Sequence, residues 1–275
     1  MGIMSAVKAN KALRLQKSKN YEEAERLYEE AFAGGVKDPR FMLAYALMII
    51  RCGKYQKAKE FLVANQKVPM TPNQRTEMLV YYATCCFRLG NTDKGISTLE
   101  QQFQKGENGL LYQTLGYLYV DKYDRANQPD FAAQAAEAAQ QVEGEAPAGD
   151  GTEGEKNALT PEEEWNAGAE KAEAFIRSSV EYDEEDPVCL DNLAEFIYRV
   201  RGDKEAAKEW FDKAIAIKGN QIDTLYFLSR YDLEAGDKQA ALEKLERAAE
   251  GRFSPLNYCS KEAIEAEIAQ LKEAL

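Results

Sequence analysis

The stretch Gly202-Asp203-Lys204-Glu205-Ala206-Ala207-Lys208-Glu209-Trp210-Phe211-Asp212-Lys213-Ala214 returns in altered form. Its second copy reads Gly236-Asp237-Lys238-Gln239-Ala240-Ala241-Leu242-Glu243-Lys244-Leu245-Glu246-Arg247-Ala248. The copies start 34 residues apart, and a fixed period of that size marks an array of stacked two-helix units. Gly can end one helix because it adopts the left-handed conformation at little cost. Asp then caps the next by accepting a free backbone N–H. Ala207, Phe211 and Ala214 share one helical face, as do Ala241, Leu245 and Ala248. Small residues on that face admit a close neighbour, and the large one fills the space between units.

Working outward, the pattern recurs. Tyr21-Glu22-Glu23-Ala24 leads to Tyr28 and Ala31, and Gly53-Lys54-Tyr55-Gln56-Lys57-Ala58 leads to Leu62. Gly90-Asn91-Thr92-Asp93-Lys94-Gly95 leads to Leu99, with Gly95 where Ala is usual. Leu115-Gly116 followed by Tyr119 belongs to the first helix of a unit. In these residues and their register the chain resembles the tetratricopeptide repeat family. Ala12, Ala46 and Ala83 stand where the family's first-helix Gly falls, a small-for-small change that preserves packing.

The resemblance implies an all-α, right-handed superhelical solenoid of about six helix–turn–helix repeats with a C-terminal capping helix. One repeat domain over residues 1–275 is expected. Its repeats would span 5–36, 38–68, 71–106, 109–182, 186–219 and 220–253, with the capping helix over 255–275. Asp38-Pro39, Thr71-Pro72, Thr160-Pro161 and Asp186-Pro187 read as helix starts, each a capping side chain before a Pro at the first helical position. Ser254-Pro255 is read as opening the last helix, whose apolar face is Ile264, Ile268, Leu271 and Leu275.

The rhythm breaks over residues 124–160, an insertion inside the fourth unit. The Ala-rich run from Phe131 can form a helix. The Gly/Glu/Pro segment 143–155 has too little apolar surface to offset its ordering entropy. This insertion is expected to be a flexible linker, an arm that folds back on the basic first third, or a recognition tail. Residues 161–182 read as the delayed second helix of that unit.

Charge is uneven. Residues 1–120 carry a net +6, 121–187 a net −14 and 188–275 a net −4, within a total of −12. Such a chain is a poor candidate for nucleic acid, which rewards clustered basic surface. It contains no His, the commonest general base and metal ligand. The runs Glu162-Glu163-Glu164 and Glu184-Glu185-Asp186 sit at helix starts and in loops where solvation is the default. No enzyme, cofactor or metal is expected. The five cysteines show no metal-ligand spacing and suit free thiols in a reducing cytoplasm. No sorting signal, lipidation motif or membrane span is read in the chain.

The family resemblance implies that first helices line a concave, peptide-holding face. Carried over, the register gives Leu13 and Lys17; Arg40, Leu43, Leu47, Ile50 and Arg51; and Val80, Thr84, Phe87 and Arg88. It continues with Gln113, Tyr117 and Val120, then Asn192, Phe196 and Arg199, then Tyr226 and Arg230. Lys17, Arg51 and Arg88 hold equivalent places in three successive units. They form either a basic ladder for an acidic, partly apolar protein or peptide, or three cations that merely favour helix C-termini. A family subclass clamps a C-terminal carboxylate with Lys and Asn on adjacent first helices. Asn10 and Asn192 are isolated, so that mode is not expected. The expected function is non-catalytic protein binding. The alternatives are a self-associating structural protein and a peptide sensor gated by the acidic insertion.

Overall fold

The computed structural model describes residues 3–142 and 159–275. The acidic segment 143–155 lies outside the described residues. In chain order, α1 (Ile3–Lys17) pairs with α2 (Tyr21–Ala33), α3 (Pro39–Arg51) with α4 (Tyr55–Ala64), and α5 (Pro72–Arg88) with α6 (Thr92–Phe103). The next helix, α7 (Gly109–Tyr123), packs against α9 (Pro161–Tyr182), with α8 (Phe131–Val142) between them in the chain. Then α10 (Pro187–Glu195), continued by a π-helical stretch Phe196–Arg201, pairs with α11 (Lys204–Ile217). Finally α12 (Ile222–Glu234) pairs with α13 (Lys238–Ala249), and α14 (Lys261–Glu273) covers α13. First helices also touch first helices, α1 to α3, α3 to α5, α5 to α7 and α7 to α10. The pairs thus stack into the all-α, right-handed solenoid that the repeat implies.

The repeated phrase does locally what its residues suggest. Gly202 and Gly236 have φ of 75° and 81°, a region costly for residues with a Cβ. Asp203 accepts from the Ala206 N–H and Asp237 from the Ala240 N–H. Ala207, Phe211, Ala214, Ala241, Leu245 and Ala248 are all buried without measurable exposure. Thr71 and Thr160 form reciprocal caps with Gln74 and Glu163, and Asp38 and Asp186 cap the helices that follow them.

The core is a chain of apolar clusters rather than one centre. Tyr28, Phe32, Tyr45 and Phe61 stack edge and face between the first two units, with ring centres 4.8–6.0 Å apart. Leu99, Leu111, Leu115 and Leu118 join units three and four. Phe196, Phe211 and Phe227 join units five and six. Each cluster bridges neighbours in the stack, which is how such an array holds together. In α8, Phe131 lies 6.2 Å from the Trp165 ring of α9.

One local expectation is corrected. The last helix does not start at Pro255: residues 252–260 are non-helical, and α14 begins at Lys261 with Ser260 as its cap. Ser254 does cap locally, accepting from the Leu256 N–H, but the turn goes no further. The Asn257 side chain turns back to the Ser254 N–H, and the Tyr258 N–H is taken by Asp223 of α12. The Tyr258 N–H, which would have continued a helix, is committed across the solenoid.

Candidate binding groove

The segment 252–260 lies across the first helices α5, α7 and α12. Leu256 packs against the cluster of Val80, Leu111, Leu115 and Tyr117, on units three and four. Tyr258 stacks on Tyr226 and Phe227, with ring centres at 5.5 and 5.0 Å. Asp223 accepts from Asn257 Nδ2 at 2.9 Å and from the Tyr258 N–H at 3.1 Å. The segment therefore covers part of the surface that the first helices present, and two clefts lie beside it.

The larger cleft is about 1190 Å³. One wall is the ends of α1, α3 and α5, with Leu13, Lys17, Met48, Arg51 and Arg88. The other wall is the segment from Glu250 to Glu262. Lys17, Arg51 and Arg88 each stand in the last turn of a helix, where the dipole favours a cation. They also open onto this one cleft together with Arg252. Among the described residues none of these four cations makes an ion pair. Partial burial, with Arg252 adding repulsion, lowers the Arg51 guanidinium from its ordinary value. Arg88 lies over the Tyr55 ring at 5.4 Å.

The smaller cleft, about 400 Å³, is lined by Val80, Gln113, Tyr117 and Asn192 on one side and by Leu256 and Asn257 on the other. Gln113 donates to Asp186 at 2.6 Å, and Asn192 donates to the Gln113 carbonyl at 2.9 Å. The Asn192 amide passes so near α7 that a Cβ at Gly116 would lie 2.6 Å from its Nδ2. That is why the first helix of the fourth unit carries Gly there.

The other residues carried over from the register line neither of these two clefts. Leu43 and Phe196 are in the hydrophobic core. Arg40 pairs with Asp38 at 2.6 Å and is exposed. Thr84 is buried and donates to the Val80 carbonyl. Leu47 is half-buried, and Phe87 packs edge-on against Tyr117 at 5.6 Å. Tyr226 lies under Arg230, which also pairs with Glu267 of α14 at 2.5 Å. Val120 and Ile50 are buried in core clusters.

Arg199 stands at the centre of something the repeat register does not reveal. It is 6% exposed. Its Nη1 meets Glu195 Oε2 at 2.6 Å, its Nε meets Asp124 Oδ2 at 2.7 Å, and its Nη2 lies 3.8 Å from Asp121. The Tyr258 ring covers it, with the guanidinium carbon 4.4 Å from the ring centre. Asp191 and Asp223 lie beside this group, and Asp191 accepts from the Thr224 hydroxyl. Burial, reinforced by Glu195, pushes the Asp223 carboxyl up to about 8. Burial and the charges of Glu195 and Asp223 raise Asp191 well above the usual carboxylate range. Burial also raises Glu195, against the pull of Arg199. Burial alone would lower the Arg199 guanidinium, but Glu195 and Asp124 hold it above its ordinary value. The available signal is the spacing Asp191, Glu195, Arg199: three charges at successive i, i+4 positions, on a helix whose other residues are mostly apolar.

Among the described residues no helix is long and apolar enough to cross a membrane. All five cysteines are free thiols.

Comparison with known proteins agrees with the architecture. The sequence profile of anaphase-promoting complex (cyclosome) subunit 3 matches residues 17–102. No curated protein matches the sequence. Among solved structures, a thermophilic tetratricopeptide repeat protein of Thermus thermophilus is similar, with TM-score 0.58 and 14% identity, over 86% of this chain and 100% of that one. PilW, a type IV pilus biogenesis factor, gives TM-score 0.57 and 15% identity over 97% of this chain and 100% of its own. The human IFIT1 dimer, solved with m7Gppp-AAAA, gives TM-score 0.58 and 16% identity over 98% of this chain but 55% of its own. At these identities the likeness is one of fold. Solenoids of this fold are in general scaffolds for protein–protein contact, presenting an extended concave surface. By its repeat register, a profile match over residues 17–102 and its fold, the chain is built of repeats of the tetratricopeptide type.

Proposed function

We propose that the chain is a non-catalytic scaffold that binds an acidic, partly apolar peptide or protein segment in the larger cleft. The observation that carries this reading is the convergence of Lys17, Arg51 and Arg88 with Arg252 on one cleft, without ion-pair partners among the described residues. Helix-end preference explains why each cation is tolerated. It does not explain why four cations without an ion pair among the described residues share a space bounded by Leu13, Met48 and Tyr55, with Glu250 and Glu262 on the opposite wall. A carboxylate-bearing partner would neutralise them, while the apolar wall would supply buried area. Free thiols support a reducing compartment such as the cytoplasm.

The test is peptide-display selection against the wild type and against the triple variant Lys17→Glu, Arg51→Glu, Arg88→Glu, with intact helicity checked by circular dichroism. Acidic sequences carrying an aromatic or aliphatic anchor should be enriched on the wild type and lost on the variant. Enrichment that is the same on both proteins would move the binding surface away from this cleft.

A further inference from the structure

Between units five and six, three carboxylates converge at a buried point. Asp191 and Glu195 are one turn apart on α10, and Asp223 lies in the first turn of α12. One oxygen from each lies within 4.8 Å of the others. The three residues are 3%, 1% and 5% exposed. Their surroundings neutralise them incompletely. Arg199 is the one cation in ion-pair contact with this group among the described residues, and it is shared with Asp124 and Asp121. Asp191 has the Thr224 hydroxyl, and Asp223 has Asn257 and the Tyr258 N–H. Glu195 uses Oε2 for Arg199, and its Oε1 is buried with no hydrogen-bond partner among the described residues. A buried carboxylate oxygen without a donor carries its full desolvation cost. Glu195 is also the member whose charge acts on both other carboxyls.

We propose that Asp191, Glu195 and Asp223 form a binding site for a hard divalent cation, with Glu195 Oε1 as the oxygen left open for it. The donors are all oxygen, the set preferred by calcium, magnesium and manganese over zinc or copper. A spacing within 4.8 Å fits inside a calcium shell, in which opposite oxygens are about 5 Å apart. Arg199 remains on the other oxygen of Glu195, so the two cations bridge one carboxylate rather than compete for one atom. Asp223 also anchors Asn257 and Tyr258, so the bound ion joins α10, α12 and the segment crossing the groove. This site is separate from the basic cleft, and its failure would leave the peptide-binding reading standing.

The experiment uses the full chain, stripped with chelator and dialysed. Calcium, magnesium and manganese chlorides are titrated in turn by calorimetry, and thermal melts are run with each ion and with chelator. Expected is one ion per chain, a higher melting temperature with at least one of the three, and at least tenfold weaker binding in Glu195→Gln. Because Glu195 also holds Arg199, Asp191→Asn is tested beside it; that residue makes no ion pair among the described residues and should lose binding too. The ion giving the largest shift identifies the natural occupant. No heat and no melting shift with any of the three would overturn the proposal. Binding unchanged in both variants would also overturn it, by placing the ion on the acidic surface instead.

Discussion

Replacing Arg199 by Met tests whether the buried ion cluster couples the last three units. Met preserves much of the side-chain bulk and removes the charge. Glu195 and Asp124 would each lose a contact of 2.6–2.7 Å, and Asp121 would lose a more distant one. Removing one partner of a buried ion pair costs roughly 3–5 kcal/mol, because the remaining charge stays uncompensated. Part of the Tyr258 contact is lost as well. For 275 residues the unfolding entropy is about 0.58 kcal/mol/K, so that loss lowers Tm by about 5–9 °C.

The cation joins α10 to the end of α7 and to the segment before α14. Its removal should therefore broaden the transition as well as shift it, since a repeat array melts as one only while its interfaces are strong. The assay is thermal and urea unfolding followed by far-UV circular dichroism for Arg199→Met, Glu195→Gln and the double variant. The double variant should be less destabilised than the two singles added together, by about 0.5–3 kcal/mol. A loss below about 1 kcal/mol in Arg199→Met, the level of an exposed pair, would refute the reasoning. So would strict additivity.

Ala207 is fully enclosed between helices, so Ala207→Trp should cost about 1–3 kcal/mol by overpacking, and an unchanged melt would contradict the packing. Tyr258→Ala removes the ring beneath Arg199 and two aromatic neighbours; a desolvated cation–π contact is worth about 2 kcal/mol. Trypsin should then cut after Arg252 faster than in the wild type, and an unchanged cleavage rate would show that Tyr258 does not hold the segment. Burial pushes the Cys85 thiol to about 12, and burial with Asp186 pushes Cys189 to about 12. At pH 8 only about one in ten thousand of those groups is thiolate, the reactive form. A disulfide reagent should therefore label exposed Cys52 first and reach Cys85 and Cys189 only on unfolding. Labelling of Cys189 in the native protein would contradict that.

The fold is legible in the sequence because its determinants are local and repeated. Gly202 and Asp203 announce a helix end and a helix start within two residues, and Ala207, Phe211 and Ala214 describe a face by spacing alone. The same information predicts that Lys17, Arg51 and Arg88 sit in equivalent places, and they open onto one cleft. What stays hidden depends on contacts that no period encodes. Ser254-Pro255 has the form of a helix start, yet Asp223, about thirty residues earlier, takes the Asn257 amide and the Tyr258 N–H. Asp124 and Arg199 meet across an insertion whose length gives no hint of it. Register carried from a resembling family assumes that the groove is open, and on that assumption Arg199 and Tyr226 face a partner. In this chain their faces are covered by Tyr258. The groove's C-terminal half is thus occupied by a segment held through charge and aromatic contact. The cleft at the N-terminal units, lined by Lys17, Arg51, Arg88 and Arg252 without ion pairs among the described residues, is the surface that the proposed reading assigns to a partner.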